Sequence, residues 1–282
     1  MNMNLEIVFN MIRNSWKRIV LIVLLATIST AVLLLIKKPY YRSSAIFTAA
    51  NPNIGDRSNI YRTEFWEQYF YFGGEFDNDR LMAISKAEEM NRFMVDTFQL
   101  IKHYKINPKS ERAQYMADYE YKENVKIQKN EYGHVKVNVW DTDKQLAAAM
   151  ANAIVKKVNE KSVASLNNMK LEILQKLKND FSSQQDTLQQ IENSLLTNTN
   201  AFLAARKSEI IKELNEKEKL IQQFNTSINN VSALFVIENA LPALKKDKPQ
   251  ILSGVILAAI LSFVFSVLLL LLIEWKKNAK LS

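Results

Sequence analysis

The chain has 282 residues, no cysteine and a formal net charge of +8. The excess charge lies near the two ends, because residues 1–42 and 243–282 hold 12 of the 37 Lys and Arg residues but only three of the 29 Asp and Glu residues. The residues between them carry 25 positive and 26 negative charges. Since a nucleic-acid-binding domain concentrates basic residues on its body, this distribution argues against a nucleic-acid partner.

The first predicted element is an apolar run, residues 19–36, which follows the segment 1–18. Its 18 residues span about 27 Å as a helix, which is enough to cross a membrane. A cleaved signal peptide is the alternative, but its apolar region has about 7 to 15 residues and ends at small residues. Because this run is longer and is followed by Lys37-Lys38-Pro39, we predict a retained transmembrane helix.

The segment 37–159 begins with a predicted strand and an aromatic cluster. The stretch from Tyr40 to Ala50 is aromatic and partly alternating, which favours a strand. Residues 65–72 then hold six aromatic side chains in eight positions. Sugar rings can stack on such a cluster, but aromatic residues at this density more often fill a core, a subunit contact or a membrane-surface belt. We leave these alternatives open.

The rest of this segment combines helices with a β-hairpin. Apolar residues from Arg80 to Tyr104 recur at spacings of three and four, which predicts amphipathic helix with an interruption near Ser85-Lys86. From Glu123 the period changes to two, with a turn at Glu131-Tyr132-Gly133. A helix then opens at Asp141 or Thr142. The sequence therefore predicts an α+β base domain.

Residues 160–231 have a coiled-coil-like pattern without proline or glycine. Two seams step by threes and fours, and each has one polar member, Gln184 in the first and Lys217 in the second. An Asn/Thr-rich break at residues 197–200 separates them, which predicts a helical hairpin. A single uninterrupted helix remains the alternative. The first seam is Leu174, Leu177, Phe181, Gln184, Leu188, Ile191 and Leu195, and the second is Ile210, Leu214, Lys217, Ile221, Phe224, Ile228 and Val231.

The last part of the chain is a predicted return strand, a connector and a second membrane helix. Residues 232–250 pass from β-type residues to a connector that contains Pro242 and Pro249, and the strand can pair with the one after the first span. Residues 251–273 are apolar throughout and predict a transmembrane helix, which the tail 274–282 follows. Six basic residues flank the spans on the side of the chain termini, and six flank them on the side of the long segment between the spans. The distribution of charge therefore does not show which side faces the cytoplasm.

No pattern in the sequence indicates catalysis. The five glycines form no phosphate-binding loop, and the chain has no cysteine. His103 and His134 lack a second ligand at metal-binding spacing. Asp77 and Asp79 fit a loop and helix cap better than an acid–base pair. We therefore predict no catalytic residue, no metal site and no cofactor.

Four stretches, in this order, resemble the chain-length determinant proteins, or polysaccharide co-polymerases, of bacterial surface-polysaccharide assembly. They are the motif after the first span, the join "VKVNVWDTDKQLAAAMANAIV", the long helix and the connector "FVIENALPALKKDKPQ". The chain departs from the family at Lys245-Lys246, where a further proline is usual, and after Gly254, where Ala258 follows instead of a second glycine. The motif residues are Tyr41, Ser43, Ser44 and Ala45, and those of the connector are Ile237, Asn239, Pro242 and Pro249.

The resemblance implies a fold and a function. The fold is an α+β periplasmic base domain with a long helical hairpin, anchored in the bacterial inner membrane by two transmembrane helices with both termini cytoplasmic. The function is control of polysaccharide chain length by a ring-shaped homo-oligomer, without bond formation, together with a membrane polymerase acting on lipid-linked polysaccharide. Gly254 and Ala258 are the expected packing residues of the second span. The proline-containing connector would hold the base close over the membrane.

Two questions remain open at the level of sequence. The lysines at the membrane borders can contact lipid head groups or a lipid-linked pyrophosphate, or they can simply anchor the helix ends. The protein can also serve a capsule or exopolysaccharide pathway with an outer-membrane exporter. A periplasmic adaptor of an export pump and a transmembrane sensor fit less well, because an adaptor normally has one span and a sensor needs a signalling domain. The lysines are Lys37, Lys38, Lys245, Lys246 and Lys248.

Overall fold

The computed structural model describes residues 5–51, 72–197, 200–228 and 232–279. Within them the chain divides into two compact units. The membrane unit lies within residues 1–42, 141–144 and 243–282, and the main unit is Ser43–Trp140 with Gln145–Pro242. The elements, in chain order, are α1 (Leu5–Ile36), β1 (Tyr41–Ala49), α2 (Glu75–Ser85), α3 (Glu88–Thr97), α4 (Leu100–His103), α5 (Ala113–Glu123), β2 (Val125–Lys129), β3 (Val135–Asp141), α6 (Lys144–Thr197), α7 (Ala201–Ser227), β4 (Leu234–Glu238) and α8 (Ile251–Ala279).

A four-stranded sheet in the order β2-β3-β1-β4 forms the centre of the main unit. β2 pairs with β3 and β1 pairs with β4, both antiparallel. Alternate residues of β3 are fully buried because one face of the sheet meets the first half of α6. Alanines on α6, such as Ala147 and Ala151, allow that helix to approach closely. The predicted α+β base is confirmed, as is the pairing of the return strand with the strand after the first span.

The amphipathic stretch from Arg80 to Tyr104 forms three helices. α2 ends at Ser85 and α3 starts at Glu88, so the predicted interruption is confirmed. A second break falls at Gln99, which adopts a left-handed conformation with φ 50° before α4. α2 begins earlier than predicted, at Glu75, and the Asp77 carboxylate accepts the Gly74 N–H at 3.0 Å. The residues from Glu75 to Asp79, which the sequence predicted as a loop and a helix cap, therefore form the start of a capped helix.

Asn78 joins three parts of the main unit. Its carboxamide oxygen accepts the Ala49 N–H at 2.7 Å, and its amide nitrogen donates to the Gly133 carbonyl at 3.2 Å. The side chain also bonds the Thr48 hydroxyl. The Asn78 residue is 6% exposed, so its side chain is largely shielded from water. Asn78 therefore ties α2 to the end of β1 and to the turn of the β2–β3 hairpin.

The long helices form an antiparallel hairpin, so the alternative of one uninterrupted helix is wrong. The described seam positions are buried or half-buried, whereas the remaining residues of both arms beyond Leu174 are mostly exposed. Both polar seam members bond across the arms: Gln184 donates to Glu213 at 2.6 Å, and Lys217 lies 3.7 Å from Asp180. Val231 of the second seam lies outside the described residues.

The first arm of this hairpin belongs to a longer helix than the pattern from residue 160 indicated. α6 has 54 residues, and its N-terminal part packs on the sheet. The predicted caps Asp141 and Thr142 lie just upstream of its first residue, and the Asp141 carboxylate accepts the Asp143 N–H at 2.8 Å. One continuous helix therefore serves both the base and the hairpin.

α1 and α8 of the membrane unit contain stretches long and apolar enough to cross a membrane, Ser15–Ile36 and Ile251–Ile273. The second has the predicted bounds, and the first starts four residues before residue 19. Both helices expose many large apolar side chains, including Leu21, Leu35 and Leu252. Such surfaces are unfavourable in water, which supports a membrane-anchored protein.

Replacing Asn78 with alanine is expected to lower the free energy of unfolding by about 2–3 kcal/mol, because it leaves buried donors and acceptors unpaired. Urea unfolding of the full chain in detergent, followed by tryptophan fluorescence, measures the change. Asn179→Ala is the control, because that side chain lies on the exposed face of α6 and bonds only Gln175 in the described structure. Equal loss in both variants would contradict the structural role of Asn78.

Candidate functional site

The motif after the first span and the connector before the second meet in the main unit. The Ser43 hydroxyl donates to the Leu241 carbonyl at 3.0 Å, across 198 residues of sequence. Ser43 is 1% exposed, and Leu241 directly precedes Pro242. Two segments that the sequence singled out separately are therefore joined by one partly buried hydrogen bond, which we take as the centre of the candidate site.

The other motif residues hold β1 in place. The Ser44 hydroxyl donates to the Asn138 side chain on β3 at 2.8 Å. Ala45 is fully buried in the core, where a larger side chain would collide with its neighbours. Tyr41 lies in the membrane unit and is half-buried. The small side chains of Ser43, Ser44 and Ala45 thus suit the position of this strand inside the sheet.

Two asparagines of α6, which the sequence did not indicate, hold the return segment at both ends. Asn152 makes two bonds with Ala240, accepting its N–H at 2.9 Å and donating to its carbonyl at 3.0 Å. Asn159 accepts the Ala233 N–H at 2.9 Å and the Ser232 hydroxyl at 3.0 Å. Because residues seven apart share one helix face, this pair spans the length of β4. The sequence feature that could have indicated this role is the occurrence of two asparagines, seven residues apart, among the alanines and valines of this helix.

Three of the four predicted connector residues are exposed. The partner of Ile46 is Glu238 and that of Phe47 is Val236, so Ile237 is the extra residue of a β-bulge. Its side chain is 51% exposed. Asn239 and Pro242 are also exposed. The structure thus brings Leu241 to the motif, and it leaves the side chains of Ile237, Asn239 and Pro242 on the surface of the main unit.

Within the membrane unit, the two segments that border the spans pair through the backbone. The Tyr40 N–H donates to the Lys248 carbonyl at 3.0 Å, and the Tyr40 carbonyl accepts the Asp247 N–H at 2.8 Å. Arg42 lies 3.6 Å from the Asp247 carboxylate. Pro249, the last predicted connector residue, follows directly and is half-buried. These bonds hold the end of one border segment against the start of the other.

The border lysines are exposed. The side chains of Lys37 and Lys38 after α1, and of Lys245, Lys246 and Lys248 before α8, are all exposed. Among the described residues, the first four of these form no ion pair with a carboxylate. They are therefore free to contact anionic groups outside the chain.

α1 and α8 pack against each other through small residues. A Cβ added at Gly254 would lie 2.6 Å from the Leu34 Cδ1 atom, so the glycine admits that side chain. Small residues continue at four-residue spacing along the same face of α8, at Ala258, Ser262 and Ser266. Ser266 is fully buried, and its hydroxyl donates to the Phe263 carbonyl of its own helix. A small residue at every fourth position lets two helices approach closely without a second glycine.

The shifted titratable groups of the main unit lie mostly in surface ion pairs. Hydrogen bonding to Asp79 and Glu75 raises the pKa of Lys129, and bonding to Asp118 and Glu88 raises the pKa of Lys122. Glu88 and Glu89 have lowered pKa values because Lys122 and Lys161, respectively, bond them. Burial raises the pKa of Tyr121. Exposed pairs of this kind contribute little stability.

Three sequence-based expectations concern other places in the chain. No group of three or more metal-ligating side chains occurs among the described residues. His103 ends α4 and His134 follows the hairpin turn, as the pattern indicated. Most of the aromatic cluster 65–72 lies outside the described residues; its last member, Phe72, is exposed and makes an edge contact with Phe235 at 5.5 Å between ring centroids.

Replacing Asn152 with alanine is expected to accelerate hydrogen exchange at the Ala240 amide by about ten-fold or more, because the buried donor loses its acceptor. Hydrogen–deuterium exchange of the full chain, read on peptides that cover residues 234–242, measures this. Lys156→Ala is the control, since Lys156 is an exposed residue of the same helix. Unchanged exchange in the Asn152 variant would show that another contact holds the return segment.

Replacing Gly254 with leucine is expected to destabilise the helix pair by about 1–3 kcal/mol, because the new side chain overlaps Leu34. Thermal unfolding of the full chain in detergent measures the loss. Adding Leu34→Ala should restore stability, and Leu257→Phe, on an exposed position of α8, should leave it unchanged. Absence of rescue by Leu34→Ala would count against this contact.

In comparisons with known proteins, the chain is similar to several solved structures. No family model matches the chain, and no curated protein matches its sequence. A full-length bacterial polysaccharide co-polymerase matches with 13% identity and a TM-score of 0.45, covering 96% of this chain and 97% of that one. A fragment of WzzB, a polysaccharide co-polymerase from Salmonella Typhimurium, matches with 13% identity and a TM-score of 0.35, covering 74% and 99%.

A third solved structure is the lipopolysaccharide O-antigen chain-length regulator of Shigella flexneri. It matches with 10% identity and a TM-score of 0.35, covering 73% of this chain and 100% of that one. These three solved proteins are thus two polysaccharide co-polymerases and one chain-length regulator. At these identities and TM-scores, we rest the functional proposal on the chain's own residues.

Proposed function

We propose that this protein is a non-enzymatic regulator of chain length in the polymerisation of a lipid-linked surface polysaccharide, such as O-antigen. It acts as a ring-shaped homo-oligomer with a membrane polymerase. The observation that carries the proposal is the hydrogen bond from the buried Ser43 hydroxyl to the Leu241 carbonyl. It joins the family motif after the first span to the connector before the second, in a chain with two apolar helices and a helical hairpin between them.

The proposed location is the bacterial inner membrane, with both termini cytoplasmic and the main unit periplasmic. The resemblance of the motif and the connector to the family supports this orientation. The exposed lysines at the borders, Lys37, Lys38, Lys245 and Lys246, suit anionic head groups or the pyrophosphate of a lipid-linked chain. Segments that contact anionic lipids are expected to carry an excess of basic residues, as these two border segments do.

Exposed apolar side chains on the hairpin support assembly with further copies. Met169, Leu171 and Ile173 on α6 and Leu220 on α7 lie outside the seam, and each is at least 42% exposed. Near the end of the hairpin, Leu196 is 86% and Phe202 is 74% exposed. A monomer in water gains nothing from such side chains, whereas neighbouring subunits can bury them.

In the proposed mechanism, the protein acts by positioning the growing polymer or the polymerase, and it forms or breaks no covalent bond. In an oligomer the hairpins and base domains of neighbouring copies would form one surface along which the growing polymer or the polymerase is held. Pro242 and Pro249 would keep the connector from continuing as a helix, because proline locks φ and lacks an N–H donor. Polymer length would then depend on the geometry that the connector and the oligomer impose.

The proposal is tested by the length distribution of surface polysaccharide from cells with and without the gene, resolved on a gel. Loss of a clustered distribution with continued synthesis is the expected result. Normal synthesis without display at the surface would instead assign the protein to an exporter. An unchanged distribution would contradict the proposal.

Replacing Pro242 and Pro249 together with alanine is expected to change the most abundant polymer length while the protein still inserts into the membrane. The reason is that alanine restores backbone freedom and an N–H donor to the connector. The same gel measures the length, and immunoblotting of membranes measures insertion. Lys178→Ala, an exposed change on the hairpin, should leave the length unaltered. A wild-type distribution in the proline variant would rule out a role for connector stiffness.

A further inference from the structure

A cavity of about 740 Å³ lies in the main unit beside the short helix α4. Val95, Ile101, Ile106 and Pro108 supply an apolar wall. Polar side chains, those of Asp96, Gln99, Lys102, Lys105 and Asn107, occupy the rest of the lining. Apolar surface combined with several polar groups is the usual composition of a small-ligand site.

The backbone is strained at two of these lining residues. Gln99 has φ 50° and Lys105 has φ 58°, and they bracket α4 on either side. Glycine adopts this left-handed conformation without cost, whereas residues with a Cβ are disfavoured there. The chain nevertheless places long polar side chains at both positions. Residues held in such conformations cluster at ligand-binding sites, so these two positions support a binding role for the cavity.

The charge of the cavity is positive and unbalanced. Neither Lys102 nor Lys105 lies within 4 Å of a carboxylate among the described residues, and Lys109 and Arg112, on the following turn, likewise form no ion pair there. Asp96 is the one acidic lining residue. By contrast, Lys122, Lys129 and Lys161 of the same unit are each paired with carboxylates. The lysines at the cavity therefore favour an anionic ligand.

The remaining polar side chains of the cavity can form hydrogen bonds with hydroxyl groups of a ligand. Asn107 uses its carboxamide oxygen to accept the Lys109 N–H at 3.1 Å, which leaves its amide group as a donor. The side chains of Gln99 and Asp96 are exposed at the rim; the Gln99 carboxamide can donate or accept hydrogen bonds, and the Asp96 carboxylate can accept them. Ile101 and Ile106 can pack against the C–H face of a ring. A pyranose with a carboxylate matches all three features.

We propose that this cavity binds an acidic polysaccharide segment through uronic acid residues, with Lys102 and Lys105 pairing with the carboxylates. The assignment rests on the proposed function, since it names the class of polymer that the regulator contacts. Binding at this place would hold a growing acidic chain against the main unit. Salt is expected to weaken it because the pairs are exposed to solvent.

The test uses the full chain in nanodiscs of phosphatidylcholine and isothermal titration with oligogalacturonate. Neutral dextran oligosaccharide of matched length and inorganic phosphate are the comparison probes. Lys105→Gly is expected to raise Kd by about ten-fold or more, since one charge-assisted contact is lost. Its melting temperature should stay equal or rise, because glycine relieves the left-handed strain. Lys102→Ala should weaken binding similarly, and Lys178→Ala should not.

Several outcomes would overturn the proposal. They are no binding of oligogalacturonate, equal binding of dextran, preferential binding of phosphate, or unchanged Kd in Lys105→Gly and Lys102→Ala. The result is separable from the proposed function. If gene deletion leaves polymer length unchanged, the regulatory function fails whatever the titration shows. If deletion alters polymer length while both lysine variants bind as wild type, only the cavity assignment fails.

Discussion

The pairing of β1 with β4 is the constraint on which the main unit depends. These strands are separated by nearly 190 residues of sequence, yet they lie side by side at one edge of the sheet. Closing so long a loop costs conformational entropy, which buried contacts must offset. The Ser43–Leu241 bond and the two asparagines of α6 supply such contacts at both ends of β4. Without them, β4 would be an apolar edge strand held by few backbone bonds.

The hairpin shows how polar residues set alignment in a narrow apolar seam. Leu174, Ile210 and Leu214 are buried, but aliphatic side chains alone would tolerate a shift of one arm along the other. The bond between Gln184 and Glu213 and the pair of Lys217 with Asp180 favour one alignment. Their contribution to stability is small because they are partly exposed. Their value lies in specifying which residues of the two arms face each other.

In the described residues of the main unit, the shifted titratable groups and the strained residues lie in different places. Its shifted titratable groups take part in ion pairs on the surface or are buried by packing. Its strained residues, by contrast, collect around one cavity. The lysines among these lining residues are the ones on which the proposed glycan binding rests.

The sequence by itself determined the order and type of the elements. Periods of two and of three to four residues located the β-hairpin, the helices near Arg80 and the two seams, because these patterns report which face of a segment is buried. Apolar length alone located the two membrane helices. The expectation that the chain ends of the main domain come together followed from the return of β-type residues before Pro242.

Only the tertiary structure decided which distant residues bond. The contacts of Asn78, Asn152 and Asn159 depend on backbone groups that are far away in sequence, and an asparagine in a helix looks the same whether it is buried or exposed. The left-handed conformations of Gln99 and Lys105 could not be predicted from the sequence either, because a residue other than glycine does not indicate a positive φ. Local periodicity reports burial, whereas partners and strain depend on how the whole chain closes.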